Sequence, residues 1–254
     1  MKTERREYIL DKIRIDKKIK AQDIVQQFDV TMETVRRDLE ELENQGLLRR
    51  VYGGAIEGRI FEPEPSYDSR IISRLDEKQA IAHNTAELIN DGEFVYLDGG
   101  TTVLEVATEL ANSGKALTVV TNALPIAEAL LHGENIEVIV LGGFVSKGES
   151  VINRLQDPTI INVFNFQKTI LGAASISPSQ GVTDYNLDVS MLKKRIMEKS
   201  DKVIFVADHS KFNKRVRYTV ADYHDIDVIV TDKKTSPEDI ETCKKAGIEV
   251  IVCE

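Results

Sequence analysis

Two sets of residues in this chain have types and spacings that can do chemistry. The first lies near the N terminus: Thr31, Met32, Glu33, Thr34, Arg36 and Arg37 share one short segment, and Arg49, Arg50 and Tyr52 follow. An arginine fork can grip guanine O6 and N7 or a phosphate, and threonine is short enough to let a helix lie close to its partner. Arg49, Arg50 and Tyr52 add two charges and an aromatic donor suited to a phosphate backbone. The second set consists of small polar residues that follow apolar runs: Asp98-Gly99-Gly100-Thr101-Thr102, Thr121-Asn122, Gly142-Gly143 and Asp208-His209-Ser210-Lys211. Gly99 and Gly100 let the backbone approach a ligand, while Thr101 and Thr102 open a helix whose free N–H groups and dipole favour an anion. Asp98 can accept from sugar hydroxyls, Asn122 can donate and accept, and Lys211 can pair with phosphate; Asp184 and Lys194 are further candidates. These glycines have neither the Gly-Lys-Ser/Thr of a P-loop nor the spacing of a dinucleotide fingerprint.

The elements that must position these residues follow from apolar periodicity. Ile9, Leu10 and Ile13, then Ala21, Ile24, Val25 and Phe28, then Val35, Leu39 and Leu42 mark the inner faces of three helices. The spacing predicts a tight turn at Asp29 and Val30, a third helix capped by Thr31 and closed by Gly46, and a hairpin turning at Gly53-Gly54. Two short helices joined so tightly form a helix-turn-helix, and the hairpin is its wing. The second helix of that motif enters the major groove by its N-terminal end, so Thr31 to Arg37, with Val35 turned inward, are the side chains able to reach bases. Residues 1–57 are therefore expected as one domain. Gly58, Pro63 and Pro65 mark 58–72 as an extended linker. From 73 to 254, helical segments alternate with strands at 94–97, 117–120, 137–141, 169–173, 203–207, 228–230 and 249–252, and a further helix is expected near 157–164. Such alternation predicts an α/β, Rossmann-like domain with a largely parallel sheet and helices on both faces. Ligands of such sheets lie beyond the C-terminal strand ends, where the second set of residues falls.

Composition narrows the classes. With 42% apolar and 30% charged residues the chain has material for real cores, and wholesale disorder is excluded. Two cysteines, Cys243 and Cys253, make no disulfide scaffold, and with no signal segment a reducing cytoplasm is expected. No apolar run approaches the roughly 20 residues of a membrane span. The net charge of −9 is unevenly placed: residues 1–60 hold 13 Lys+Arg against 12 Asp+Glu, so the acidity belongs to the remainder. Because attraction to phosphate is decided over about 8 to 10 Å, the global charge does not exclude local contact with DNA. His83, His132, His209 and His224 are too dispersed for a metal site, and neither a metal nor a cofactor is expected.

Thr31-Met-Glu-Thr-Val-Arg-Arg-Asp-Leu39 followed by Gly46-Leu-Leu-Arg-Arg-Val-Tyr-Gly-Gly-Ala55 resembles the signature of the DeoR family of bacterial transcriptional regulators. The Asp98 to Thr102 loop, Thr121-Asn122, Gly142-Gly143 and Val206-Ala-Asp-His-Ser-Lys-Phe212 also fall where the family pattern puts them. The resemblance implies a winged helix-turn-helix repressor joined to a sensor domain that binds a phosphorylated sugar or related metabolite, with a sensor fold similar to ribose-5-phosphate isomerases. Two-fold symmetry being the usual route for such motifs, a homo-oligomer, dimer or tetramer, is expected on double-stranded operator DNA, and no membrane partner is expected. One departure concerns Asp188, where many relatives carry Glu ahead of the basic cluster Lys193-Lys194-Arg195. The isomerase likeness raises catalysis as a rival, since Asp98, Asp184, Asp188 and Lys194 are suitable types for moving a proton. Fold does not carry function, and an enzyme is not expected.

Overall fold

In a computed structural model of the chain, which describes residues 2–44, 47–57, 64–177 and 180–254, the inner-face residues Ile9, Ile13, Ile24, Val35, Leu39 and Leu42 are buried together. Gly46, Gly58 and Pro63, used above as a helix stop and linker markers, lie outside the described residues. The chain divides into two units, one ending at Glu62 and one beginning at Pro63.

The first unit contains α1 (Lys2–Asp16), α2 (Ala21–Phe28) and α3 (Met32–Asn44), with the wing made of β2 (Leu48–Val51) and β3 (Gly54–Glu57). Thr31 caps α3 as expected, accepting from the Thr34 N–H at 3.3 Å, and Asp29 ends α2 in the left-handed region at φ 49°. A strand not expected from the sequence, β1 (Lys18–Lys20), pairs antiparallel with β3 and makes the wing a three-stranded sheet. That pairing explains the second glycine of the hairpin. A Cβ on Gly54 would run into the carbonyl of Ile19, whereas Gly53 provides the left-handed turn at φ +82°.

In the second unit, seven parallel strands take the order β15-β14-β12-β9-β4-β5-β6. They are β4 (Phe94–Leu97), β5 (Leu117–Thr121), β6 (Ile136–Val140), β9 (Lys168–Gly172), β12 (Val203–Val206), β14 (Val228–Asp232) and β15 (Glu249–Cys253). Period-2 alternation feeds two cores. Val95 and Leu97 pack under α5 (Leu75–Glu87), α6 (Thr101–Asn112) and α7 (Leu124–Leu130), and Tyr96 packs on the other face with α8 (Leu187–Met197) and α9 (Pro237–Lys245). From central β4 the chain builds outward to β6, then returns to β9 on the opposite flank and builds outward to β15. The reversal point lies between β4 and β9, and their C-terminal ends mark the place for a ligand.

In the second unit four features depart from the sequence reading. Residues 67–72, expected as extended linker, form α4 (Tyr67–Ile72), capped by Ser66, whose Oγ accepts from the Ser69 N–H. The helix expected near 157–164 is a 3-10 segment, Pro158–Val163. Residues after β6 form an antiparallel hairpin, β7 (Gly143–Ser146) and β8 (Val151–Leu155). A small antiparallel sheet of β10 (Ser175–Ser177), β11 (Gly181–Asp184) and β13 (Tyr218–Ala221) covers one side of the parallel sheet.

Candidate functional site

At the front of α3, Thr31, Met32, Glu33, Arg36 and Arg37 are exposed, Thr34 is half-buried and Val35 is buried in the core. One face of the helix thus presents two arginine forks, each loosely near Glu33 at 3.9 Å for Arg36 and 3.8 Å for Arg37. Surface pairs of that length contribute little and can open to a stronger partner. The acids farther along are not merely solvated. Asp38 is buried against Arg5, at 2.5 Å, and Arg6, at 3.1 Å, both from α1, and Glu41 also binds Arg6. Glu43 accepts from the Arg50 N–H at 2.7 Å and from its Nε at 2.6 Å, fastening the wing to the end of α3. Arg50 therefore has a structural role that the sequence did not reveal. Arg49 and Tyr52 stand exposed on the wing.

In the second unit a cavity of about 190 Å³ opens at the reversal point. Asp98, Gly99, Gly100, Thr101, Thr102, Asn122, Asp184 and Lys211 all contribute to its wall. Gly100 precedes α6 in an extended conformation, φ 170°, and no side chain among the described residues caps the helix, whose first amides and dipole favour negative charge. Gly99 is required by packing: a Cβ there would come within 2.5 Å of a Val151 methyl.

The polar interior is organised around Lys193. This buried ammonium donates to Gly172 O at 2.7 Å and to Asp184 Oδ2 at 2.9 Å, and lies 3.1 Å from Asp98 Oδ2. Its three protons thus have three acceptors. Burial opposes the charge, but Asp184 and Asp98 outweigh it and hold the ammonium above the usual lysine range. Burial likewise raises the Asp98 carboxyl, against the opposing pull of Lys193. Asn122 is equally committed. Its Oδ1 accepts from the Tyr96 hydroxyl at 3.0 Å and the Gly99 N–H at 3.2 Å, while its Nδ2 donates to Ile152 O at 3.2 Å. Asn122 thereby shapes the glycine loop while it also lines the cavity.

Lys194 calls for a correction. It lies away from the cavity wall, and Lys193, one position earlier, is the lysine that turns inward. Val189, Lys193 and Ile196 share a helical face, a spacing that could have distinguished them. Thr121 also stands behind the wall, its hydroxyl accepting from the Ala123 N–H at 3.1 Å. Gly142 and Gly143 are off the wall too. A Cβ on Gly143 would come within 2.8 Å of the Leu155 Cα, so this glycine serves the β7–β8 pairing. Asp188 sits on the exposed start of α8, 3.8 Å from Arg154. Arg70 of α4 lines the cavity and was missed, because its segment read as linker. Lys211 joins Arg70 there; burial lowers its pKa and Asp208 partly restores it.

Comparison with known proteins decides the family. Residues 5–57 match the DeoR-like helix-turn-helix domain and residues 73–233 match the DeoR C-terminal sensor domain. The chain belongs to the DeoR family of transcriptional regulators. Its relatives include the putative aga operon transcriptional repressor of Escherichia coli O157:H7, 32% identical over 98% of this chain and 93% of that protein. The transcriptional repressor AccR of Agrobacterium fabrum is 36% identical, covering 91% and 90%, and the repressor GlcR of Bacillus subtilis is 32% identical, covering 97% and 94%. Among solved structures the chain is similar to ribose 5-phosphate isomerase A of Neisseria gonorrhoeae, 19% identical, with a TM-score of 0.41 over 55% of this chain and 53% of that one. As a DeoR-family member the protein is a DNA-binding regulator and not an enzyme. Among the described residues no helix is long and apolar enough to cross a membrane.

Proposed function

We propose that this DeoR-family regulator is a cytoplasmic repressor of a sugar or polyol catabolic operon, released from its operator by a phosphorylated sugar bound in the second unit. The observation that carries the reading is the cavity at the strand-order reversal, where the uncapped first turn of α6 meets Arg70 and Lys211. Helix amides and two cations suit a phosphate, and the nearby polar interior built on Lys193, Asp98 and Asp184 suits hydroxyls. The relatives, a putative aga operon transcriptional repressor among them, support repression of an operon as the task.

On the DNA side, Thr31, Met32, Glu33, Thr34, Arg36 and Arg37 would enter the major groove, with Arg49 and Tyr52 meeting the adjacent backbone. A homo-oligomer would place two recognition helices about 34 to 36 Å apart, or a multiple of it, on a pseudo-palindromic site. Effector binding would favour an arrangement in which the heads no longer match that spacing.

The test is anisotropy of a fluorescent operator duplex titrated with the full-length protein, then with a panel of sugar phosphates. One member of the panel should release the duplex from wild type and fail to release it from Gly100→Val. The substitution is compatible with the fold, since a Cβ at Gly100 meets only a Val103 methyl at 4.0 Å and the backbone there is extended. A Gly100→Val protein that releases the duplex as readily as wild type would rule out the cavity as the effector site.

A further inference from the structure

The Arg70 guanidinium in the cavity wall is already engaged. Its Nη2 contacts Glu149 and lies 3.3 Å from Glu64, and its Nε donates to Pro65 O at 3.2 Å. The two acids reach it from different places, Glu64 from the segment entering α4 and Glu149 from the turn between β7 and β8. Two carboxylates on one cation are more negative charge than pairing requires, and both belong to the wall of a cavity whose helix amides and cations suit an anion. The mismatch is felt at Glu64, whose pKa is pushed up to about 7 by burial first and by Glu149 second, with Arg70 opposing. Glu149 is half-buried on a tight turn in which Ser150 has φ 54°.

We infer that Glu149 and Glu64 are resident counter-ions of Arg70, standing where the effector's anionic group binds, and that the effector enters by exchanging with them. The inference rests on the reading of this cavity as the effector site and adds the residues that set its selectivity. A dianionic tetrahedral group can replace both carboxylates on Arg70 and accept from the α6 amides as well. A neutral sugar cannot displace them, so the exchange selects for the phosphorylated form. Displacement also frees two pieces of chain at once: the β7–β8 turn, and the segment at Glu64, which is continuous with the polypeptide leading to the first unit.

Sulfate is the probe, because it stays dianionic from pH 6 to 8 and introduces no titration of its own. Calorimetric titration of full-length protein at fixed ionic strength should give about tenfold tighter sulfate binding for Glu149→Gln than for wild type. Wild type should bind sulfate more tightly at pH 6 than at pH 8, because protonated Glu64 no longer competes for Arg70, and Glu64→Gln should reduce that difference. The charged groups around Glu64 are Arg70 from α4, Glu149 from the hairpin turn and Asp184 from β11, with Lys211 in the same wall. All are unchanged in Glu64→Gln, so the difference between the two profiles belongs to Glu64. Equal sulfate affinity in wild type and Glu149→Gln would overturn the exchange while leaving the anion site standing. Absence of sulfate binding in both proteins would overturn the exchange and the site together.

Discussion

At the scale of single residues, the second unit depends on a buried charge that its sequence disguises as one of a cluster. Lys193 binds Asp98, Asp184 and the Gly172 carbonyl together, drawing the ends of β4, β9 and β11 to one point, while the Gly172 N–H and the Asn186 N–H add one bond each to the two carboxylates. Removing one member of a buried ionic group leaves the others charged and unpaired, which costs about 3 to 5 kcal/mol. Lys193→Met should therefore lower stability by that amount in urea unfolding of the full-length protein. Its neighbour Lys194 makes no contribution to the cavity wall, and Lys194→Ala should stay within about 0.5 kcal/mol of wild type. A loss for Lys193→Met as small as that expected for Lys194→Ala would mean that the ammonium of Lys193 is dispensable and that its carboxylates find other partners.

At the scale of elements, α4 shows how a six-residue helix with no buried residue of its own is kept in place. Lys78, buried on the inner face of α5, donates to the carbonyls of Arg70, at 2.7 Å, and Ile71, at 2.6 Å, closing the C-terminal end of α4 and with it the backbone of Arg70. Burial lowers the Lys78 pKa, against the pull of Glu105 and Asp208, as expected of an ammonium whose partners are neutral carbonyls. Lys78→Met should release that end and weaken sulfate binding by about tenfold while leaving the cavity-wall residues intact; unchanged affinity would show that Arg70 is held by its carboxylate partners alone. This is also where the sequence reading lost the site. The parallel strands and their helices were legible because their apolar residues repeat at fixed periods over long segments. Helix α4 has no such period, and two prolines before it signal a linker. Lys78 did leave a signal: with Ile81, Ala82 and Thr85 it occupies one helical face, and a lysine on an apolar face needs buried acceptors. The β7–β8 hairpin was hidden for another reason, since its first strand is wholly exposed and offers no alternation. Gly142-Gly143 then read as a ligand loop when Gly143 in fact serves strand pairing.

At the scale of the whole molecule, the charge division separates two tasks. Residues 61–254 hold 20 Lys+Arg against 30 Asp+Glu, whereas residues 1–60 are nearly balanced and present Arg36 and Arg37, each loosely near Glu33. If Arg37 grips a phosphate, Arg37→Ala should reduce the salt slope of operator binding by about one per subunit; an unchanged slope assigns Arg37 to a base edge or to solvent. On the proposed function, effector occupancy of the acidic second unit is coupled to operator binding, and that demands linkage. A useful switch needs about 1 to 3 kcal/mol of coupling between the sites, and thermodynamics makes it reciprocal. An effector that weakens operator binding by a given factor must itself be weakened by that factor when operator is bound. Titrating the releasing sugar phosphate into full-length protein, with and without saturating operator duplex, measures both arms of the cycle, and the two factors should agree at about 5- to 150-fold. If the effector binds equally well in both cases yet still removes the protein from its operator, release cannot be an equilibrium shift between two states of this molecule.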